Sequence, residues 1–435
     1  MISEARATNE LRLAVIGMGT RGAHMSRLIC EADPEVRVTA VVDLGPPDVV
    51  RKRMCQWKVP QPDKTDVLTD VDQLLQHADR FDGVLIGTPC YLHAPLAVKL
   101  AATGLPLFLE KPVAISWEQV EALRTAYLGR EDTVVVSFPL RLTVHVQTAM
   151  EIIRSGRLGV INQVQAINNV SYGGVYFGQW YRSYEKTGGL WLQKTTHDFD
   201  YITQLLGSQP VTITAMHSRL AYGGSMPPDL TCSRCDRNDT CPESPQNLTL
   251  RGDDGGTLNG AAPTPQADHA CTFSSSIMHQ DAGAAIIMYH SGAHASYAQN
   301  FLPRRSAGLR GATIIGYDAT LQFFWQREKL RVIDHHRDRV DEITIHATGG
   351  HGGGDFQLAK NFVDVMRSRE PSRSPLNEGL LSASMCLAAR ESAASGVAQR
   401  VPCFDTSSRS QDDEHHVIPH TGQAGVEPGE VRAAP

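Results

Sequence analysis

From Leu11 to Phe138, short apolar runs alternate with stretches of helical period, and the first run ends in a glycine-rich turn, LRLAVIGMGTRG. Few architectures accept that alternation. Strands are expected over 11–16, 36–43, 81–87, 106–110 and 133–138, with helices over 21–31, 46–56, 71–77, 93–103 and 116–128 between them. Strands joined by crossover helices form a parallel sheet covered on both faces, so residues 9–138 are expected to form an α/β, doubly wound domain of the Rossmann kind.

The turn carries the first chemistry. Gly17 permits a tight turn, Gly19 lets backbone approach a pyrophosphate, and Gly22 lets the following helix pack closely, with Met18, Thr20 and Arg21 completing the loop. The next strand ends in Asp43, whose carboxylate suits the hydroxyls of an adenine ribose and repels a 2′-phosphate. NAD is therefore the expected cofactor. Arg51, Lys52 and Arg53 follow closely and keep NADP open as a second cofactor. A helix-entry turn with an incidental acid at a strand end is the plainer alternative.

After Phe138 the texture changes. A helix over 144–155 leads to a long strand over 162–176, and further strands are expected over 212–222, 284–289, 293–300, 313–316 and 321–325. Strands without intervening crossovers suggest a mostly antiparallel sheet with one open face, which favours self-association into a homo-oligomer. Helices over 356–368 and 377–396 complete an α+β domain over 139–404, the second of them expected to pack back on the first domain. From Asp405 to Pro435 the polar, aperiodic sequence is expected to be a mobile tail.

Bulk properties exclude other classes. A net charge of −6 with no basic stripe argues against nucleic acid as a partner. No run of 18 apolar residues and no signal-like start occur, so a cytoplasmic protein without a membrane span is expected. Of nine cysteines, five are scattered among regular elements as small apolar residues. The other four, Cys232, Cys235, Cys241 and the later Cys271, lie in or close an insertion over 228–271. A C-x-x-C pair can grip a metal and two further sulfurs can complete a structural zinc site, while reduced loop thiols are the alternative.

Four further segments suggest a site. TPCYLHAP and LEKPVA lie where successive strands end, so Thr88, His93, Glu110 and Lys111 are expected to meet the cofactor at the carboxyl edge of the sheet. GGLWLQKTTHDFDYITQLLG places His197 near the start of a helix, with Gln193, Lys194 and Asp200 around it. GGHGGGDFQLAKNF sets His351 among glycines, where a loop can approach a ligand closely, and Asp355 reads either as part of that loop or as a helix cap.

Together, GMGTRG, Asp43, TPCYLHAP, LEKPVA and the His-x-x-Asp segment resemble the Gfo/Idh/MocA oxidoreductases, the family of glucose-fructose oxidoreductase and inositol dehydrogenase, from Leu11 to Phe404. The resemblance implies a Rossmann domain followed by an open-faced sheet, with nicotinamide and a sugar or polyol between them. It also implies a dimer or tetramer. Lys111 would touch both nicotinamide and substrate, and His197 would act as or beside the general base. Those residue types suit the task, since alcohol oxidation needs a proton acceptor near the hydroxyl and a cation to steady developing alkoxide. Many relatives carry an aspartate where this chain has Gln193, and an amide accepts no proton. A subgroup shares the lysine at 194, the GHGGGD segment and the cysteine pattern, so Lys194, Gln193, Asp200, Arg141 and His351 are assigned to the substrate side.

The expected function is NAD-dependent hydride transfer to or from a hydroxyl carbon of a sugar, polyol or glycoside. A redox-neutral enzyme that oxidises a sugar transiently and then cleaves or rearranges it is the alternative. A non-catalytic NAD-binding regulator is a third reading.

Overall fold

A computed structural model of the chain describes residues 9–250, 269–346 and 349–404. The tail expected over 405–435 lies outside the described residues. The first sheet consists of β1 (Leu11–Ile16), β2 (Val36–Val42), β3 (Asp66–Leu68), β4 (Gly83–Ile86), β5 (Leu107–Leu109) and β6 (Val134–Val136). Its order is β3-β2-β1-β4-β5-β6, and every pairing is parallel. Continuous Val, Leu and Ile runs suit these strands because both faces are covered, and β4, β5 and β6 are buried throughout. All five expected strands are present. The sixth, β3, is an edge strand of three residues, too short to show a period.

Helices α1 (Thr20–Ala32), α2 (Pro47–Gln56), α3 (Val71–Leu75), α4 (His93–Ala101) and α5 (Trp117–Ala126) connect the strands. From β1 the order runs to β2 on one side and to β4 on the other, so a crevice opens beyond the carboxyl ends of β1 and β4.

After α6 (Val144–Arg154), the second sheet uses β7 (Ile161–Asn169), β8 (Pro210–Ser218), β9 (Ala282–Tyr289), β10 (His294–Asn300), β11 (Leu309–Gly316), β12 (Ala319–Phe324), β13 (Lys329–Asp334), β14 (Val340–Thr344) and β15 (Gln399–Arg400). The order is β14-β13-β12-β11-β7-β10-β9-β8-β15, antiparallel except for the β7–β10 pair. Alternation sets its two faces. Val164, Ile287, Tyr297, Ile314 and Phe323 point into the core, whereas Met216, Ile286 and Met288 are 70%, 55% and 42% exposed on the opposite face.

Two expected strands end early. The chain leaves the ladder after Asn169 and turns at Gly173, where a Cβ would lie 1.9 Å from the Phe301 carbonyl oxygen, before a short helix Val175–Gly178. β8 stops at Ser218 because the Asp281 carboxylate accepts the amides of Leu220, Ala221 and Tyr222 at 2.9, 2.7 and 3.1 Å and draws them out of pairing. β13 and β14 were not expected. Their sequences alternate apolar residues with charges that pair across the hairpin, as Lys329 and Arg331 do with Glu342, which suits an exposed edge.

The core-facing side of this sheet lies under two helices, Thr196–Leu206 and Leu376–Ser395. The longer one is buried almost all round, since it also contacts α5 and β6 of the first sheet. The described chain up to Phe404 thus forms one compact unit. Deep within it, Arg141 donates from Nε to Asp200 Oδ2 at 3.0 Å and makes further bonds to Asp200 and Glu378, all three residues being buried.

Candidate active site

The dinucleotide turn is built by glycine sterics. Gly17 sits at φ +88°, and a Cβ on Gly22 would lie 2.0 Å from the Gly17 carbonyl oxygen, so β1 and α1 meet only if both lack side chains. Gly19 differs. A Cβ there would find nothing closer than the Gly87 oxygen at 3.9 Å, so its bare backbone faces open space at the start of α1. Asp43 accepts the Met18 amide at 2.9 Å and the Gly45 amide at 2.8 Å, and Arg53 donates to the Met18 carbonyl at 2.9 Å. Thus Asp43 fixes the turn from the end of β2.

Beyond this turn opens a cavity of about 830 Å³. Gly19, Thr20 and Arg21 form one side, Thr88, Cys90, His93, Glu110 and Lys111 line the strand ends, and Gln193, Lys194, His197 and His351 close it from the second half of the chain. The helix that bears three of these residues begins with a π-helical turn, Trp191–Thr195, which widens the backbone where Gln193 and Lys194 project. Such turns are rare and often sit at functional sites.

Lys111 Nζ donates to the Gln193 carbonyl at 2.7 Å. Burial, with the charge of Lys194 adding to it, pushes the ammonium down to about 8. Lys194 lies over the Tyr172 ring, its Nζ 4.7 Å from the centroid, and donates to the phenol oxygen. Against the burial that would raise it, Lys194 and then Arg310 hold the Tyr172 phenol below its ordinary value. Burial and then the Lys111 and Arg310 charges push His197 well below the usual imidazole range, so it is neutral, and its buried Nδ1 has no hydrogen-bond partner among the described residues. Phe138 meets its ring edge to face at 6.3 Å.

Other expected site residues are engaged within the protein. His93 places one ring nitrogen 2.8 Å from the Pro112 carbonyl and the other 2.8 Å from that of Thr88, so it ties two strand-end loops together. Arg21 donates to Glu110 at 2.9 Å, Ser137 at 3.0 Å and Asp355 at 3.0 Å. The substrate-facing positions expected for Asp200 and Arg141 are not what the structure gives. One helical turn beyond His197, the Asp200 carboxylate is taken by the Arg141 guanidinium, and neither residue lines the cavity.

Sequence reasoning missed one wall. Tyr172, Tyr176, Trp180 and Tyr181 line the cavity, with Trp180 and Tyr181 stacked at 4.1 Å. Their signal was the density of aromatics in YGGVYFGQWYRSY, masked by reading part of that segment as a strand. Cys90 was also missed as a lining residue, and burial pushes its thiol up to about 12.

The residues fit a nicotinamide dinucleotide. Gly19 leaves space for a pyrophosphate at the helix start, and two buried groups in the cavity wall, Thr88 Oγ1 and Arg21 Nη1, have no hydrogen-bond partner among the described residues. The cysteines do not fit the expected zinc. Among the described residues no group of three or more His, Cys, Asp or Glu side chains is placed to hold a metal ion. Cys232 instead faces the His269 ring nitrogen at 3.7 Å, burial raises the Cys271 thiol, and the insertion is ordered by backbone bonds such as Cys232 N–H to the His269 oxygen at 3.0 Å.

Residues 11–138 match the family described as "Oxidoreductase family, NAD-binding Rossmann fold", and residues 146–322 match the GFO/IDH/MocA C-terminal domain. The chain belongs to the Gfo/Idh/MocA oxidoreductases and is an NAD-binding enzyme of that family. It is 31% identical over 151 residues to inositol 2-dehydrogenase of Rhizobium meliloti, covering 33% of this chain and 42% of that protein. It is 25% identical over 211 residues to 2,7-anhydro-N-acetylneuraminate hydratase of Mediterraneibacter gnavus, covering 48% and 53%. The chain thus spans about half the length of these curated relatives. Among solved structures, levoglucosan dehydrogenase in complex with NADH shares the fold with a TM-score of 0.71 at 18% identity, over 91% of this chain and all of that one.

Proposed function

We propose that this protein is an NAD-dependent dehydrogenase of a sugar or polyol, with residues 9–138 holding the dinucleotide and 139–404 shaping the substrate cavity. The carrying observation is the convergence of Lys111, Lys194, His197 and His351 in one cavity beside the bare backbone of Gly19. The nicotinamide supplies the hydride acceptor or donor when bound. Lys111 donates a hydrogen bond to the reacting oxygen and steadies its developing charge, a histidine opposite exchanges the proton, and the aromatic wall packs against the C–H face of a ring. Asp43 favours NAD over NADP. Asp200 and Arg141 act through position, by anchoring the helix that carries His197. A cytoplasmic homo-oligomer completes the reading, supported by the exposed apolar residues of the open sheet face and, among the described residues, by the absence of any helix long and apolar enough to cross a membrane.

The test is a panel of sugars, polyols and anhydrosugars incubated with the purified protein and NAD⁺, read at the nicotinamide absorbance band. Accumulating NADH with at least one substrate is expected. Substrate conversion with no net NADH would replace this reading by the redox-neutral one, which the hydratase relative fits without favouring.

A further inference from the structure

Gln193 stands four residues before His197, an amide that accepts no proton, and the two carboxylates on the same helix are taken by other partners. Asp198 accepts Asn168 at 2.8 Å, Tyr297 at 2.9 Å and Arg310 at 2.8 Å, while Asp200 holds Arg141. A carboxylate does face an imidazole on the glycine-rich loop opposite. His351 Nδ1 lies 2.8 Å from Asp355 Oδ2. Asp355 is 1% exposed, and its other oxygen accepts Arg21 at 3.0 Å. Against the burial that would raise it, Arg21 and then His351 hold this carboxyl well below its ordinary value, so it is ionised. An ionised carboxylate at that distance requires the proton on Nδ1, so the base form of the imidazole presents its lone pair at Nε2, on the far edge of the ring.

The placement is specific. His351 lines the cavity, and its ring centroid is 5.9 Å from that of His197. Its backbone sits at φ +46°, a left-handed conformation that costs a non-glycine residue energy and clusters at functional sites. The glycines on either side, at φ +83° for Gly349 and +59° for Gly352, let the loop hold it there.

We infer that His351, oriented by Asp355, is the acid–base residue of this site, and that His197 is a neutral neighbour that shapes the cavity. In the oxidising direction the substrate O–H proton passes to His351 Nε2 while the C–H hydride leaves for the nicotinamide. The carbonyl forms from the electrons of the O–H bond, and the imidazolium releases its proton to solvent through its exposed edge. Reduction runs the same transfers in reverse. Arg21 is a positioning residue, because it links the dinucleotide turn to the carboxylate that orients the base.

This assignment rests on the hydride-transfer reading above, and two measurements on the full-length protein keep the two apart. The first is His351→Gly, chosen because glycine accepts the backbone at +46° and leaves room for a free imidazole. With the best substrate of the panel, kcat is expected to fall by about 10²- to 10⁴-fold while the melting temperature holds, and added imidazole is expected to restore part of the rate. A kcat within threefold of the parent, or a loss that imidazole leaves untouched, overturns the inference. The second needs no substrate. Nitrogen NMR of ¹⁵N-histidine-labelled protein, with the signal assigned by the glycine variant, is expected to show His351 protonated at Nδ1, and Asp355→Asn is expected to shift that proton to Nε2. An Nε2–H tautomer in the parent overturns the dyad. Failure of every sugar to turn over removes the hydride-transfer reading alone, and the tautomer still decides this one.

Discussion

At the scale of single residues, Lys111 shows how the same side chain gains chemistry from its setting. In solution an ammonium stays charged to above pH 10, but here burial brings it down to about 8. The sign is direct. Lys111 donates to a developing alkoxide only while protonated, so kcat/KM for carbonyl reduction is expected to hold below pH 8 and to decline above it. Lys111→Met should remove that limb and lower the rate by about 10²- to 10³-fold, as judged from kcat/KM across pH. A limb unmoved by this substitution would assign it to another group. As lining residues of the cavity, Lys111 and His351 were legible in sequence because each sits beside a glycine or proline motif, whereas His197 was singled out through the family resemblance. Asp200 and Arg141 were misplaced for a physical reason: spacing along a helix says which face a carboxylate is on, and nothing about the guanidinium that claims it from another part of the chain. The His351–Asp355 contact was hidden in an ambiguity of the same kind, since an acid four residues beyond a histidine reads equally well as a helix cap.

At the scale of elements, the first sheet was readable almost entirely, because parallel strands buried on both faces give continuous apolar runs and the turns between them carry glycine. The second sheet was read in part. Its exposed edge hairpin, β13 and β14, hides apolar alternation under paired charges, and the π-helical turn at Trp191–Thr195 has no sequence period of its own. The glycine-rich turn yields a paired test. Gly22→Ala puts a methyl 2.0 Å from a backbone oxygen and is expected to lower the melting temperature, since backbone must move to admit it. Gly19→Ala meets nothing closer than 3.9 Å, so it is expected to melt as the parent does and to bind NADH more weakly, read by fluorescence titration. Equal loss of stability in both variants would contradict the separation of packing from ligand approach.

At the scale of the whole molecule, the two sheets are joined by the helix Leu376–Ser395 and by the buried Arg141–Asp200–Glu378 cluster, so the cavity lies within one packed body. The outward face of the second sheet stays apolar at Met216, Ile286 and Met288. A homo-oligomer formed through that face is expected by light scattering at micromolar concentration, and Ile286→Glu is expected to yield monomers. A monomer in the parent would leave the face without that use.

The stretch between β8 and β9 leaves and rejoins the sheet at adjacent strands, with Ser218 paired to Ala282. Described residues of this stretch brace the aromatic wall: Tyr222 stacks on Phe177 at 4.0 Å, the Ala270 amide binds the Gly178 carbonyl at 3.1 Å, and His279 meets the Tyr181 carbonyl at 2.7 Å. Exchanging this stretch for another between the same two strands is therefore expected to remodel one side of the cavity while NADH binding, read by fluorescence titration, holds.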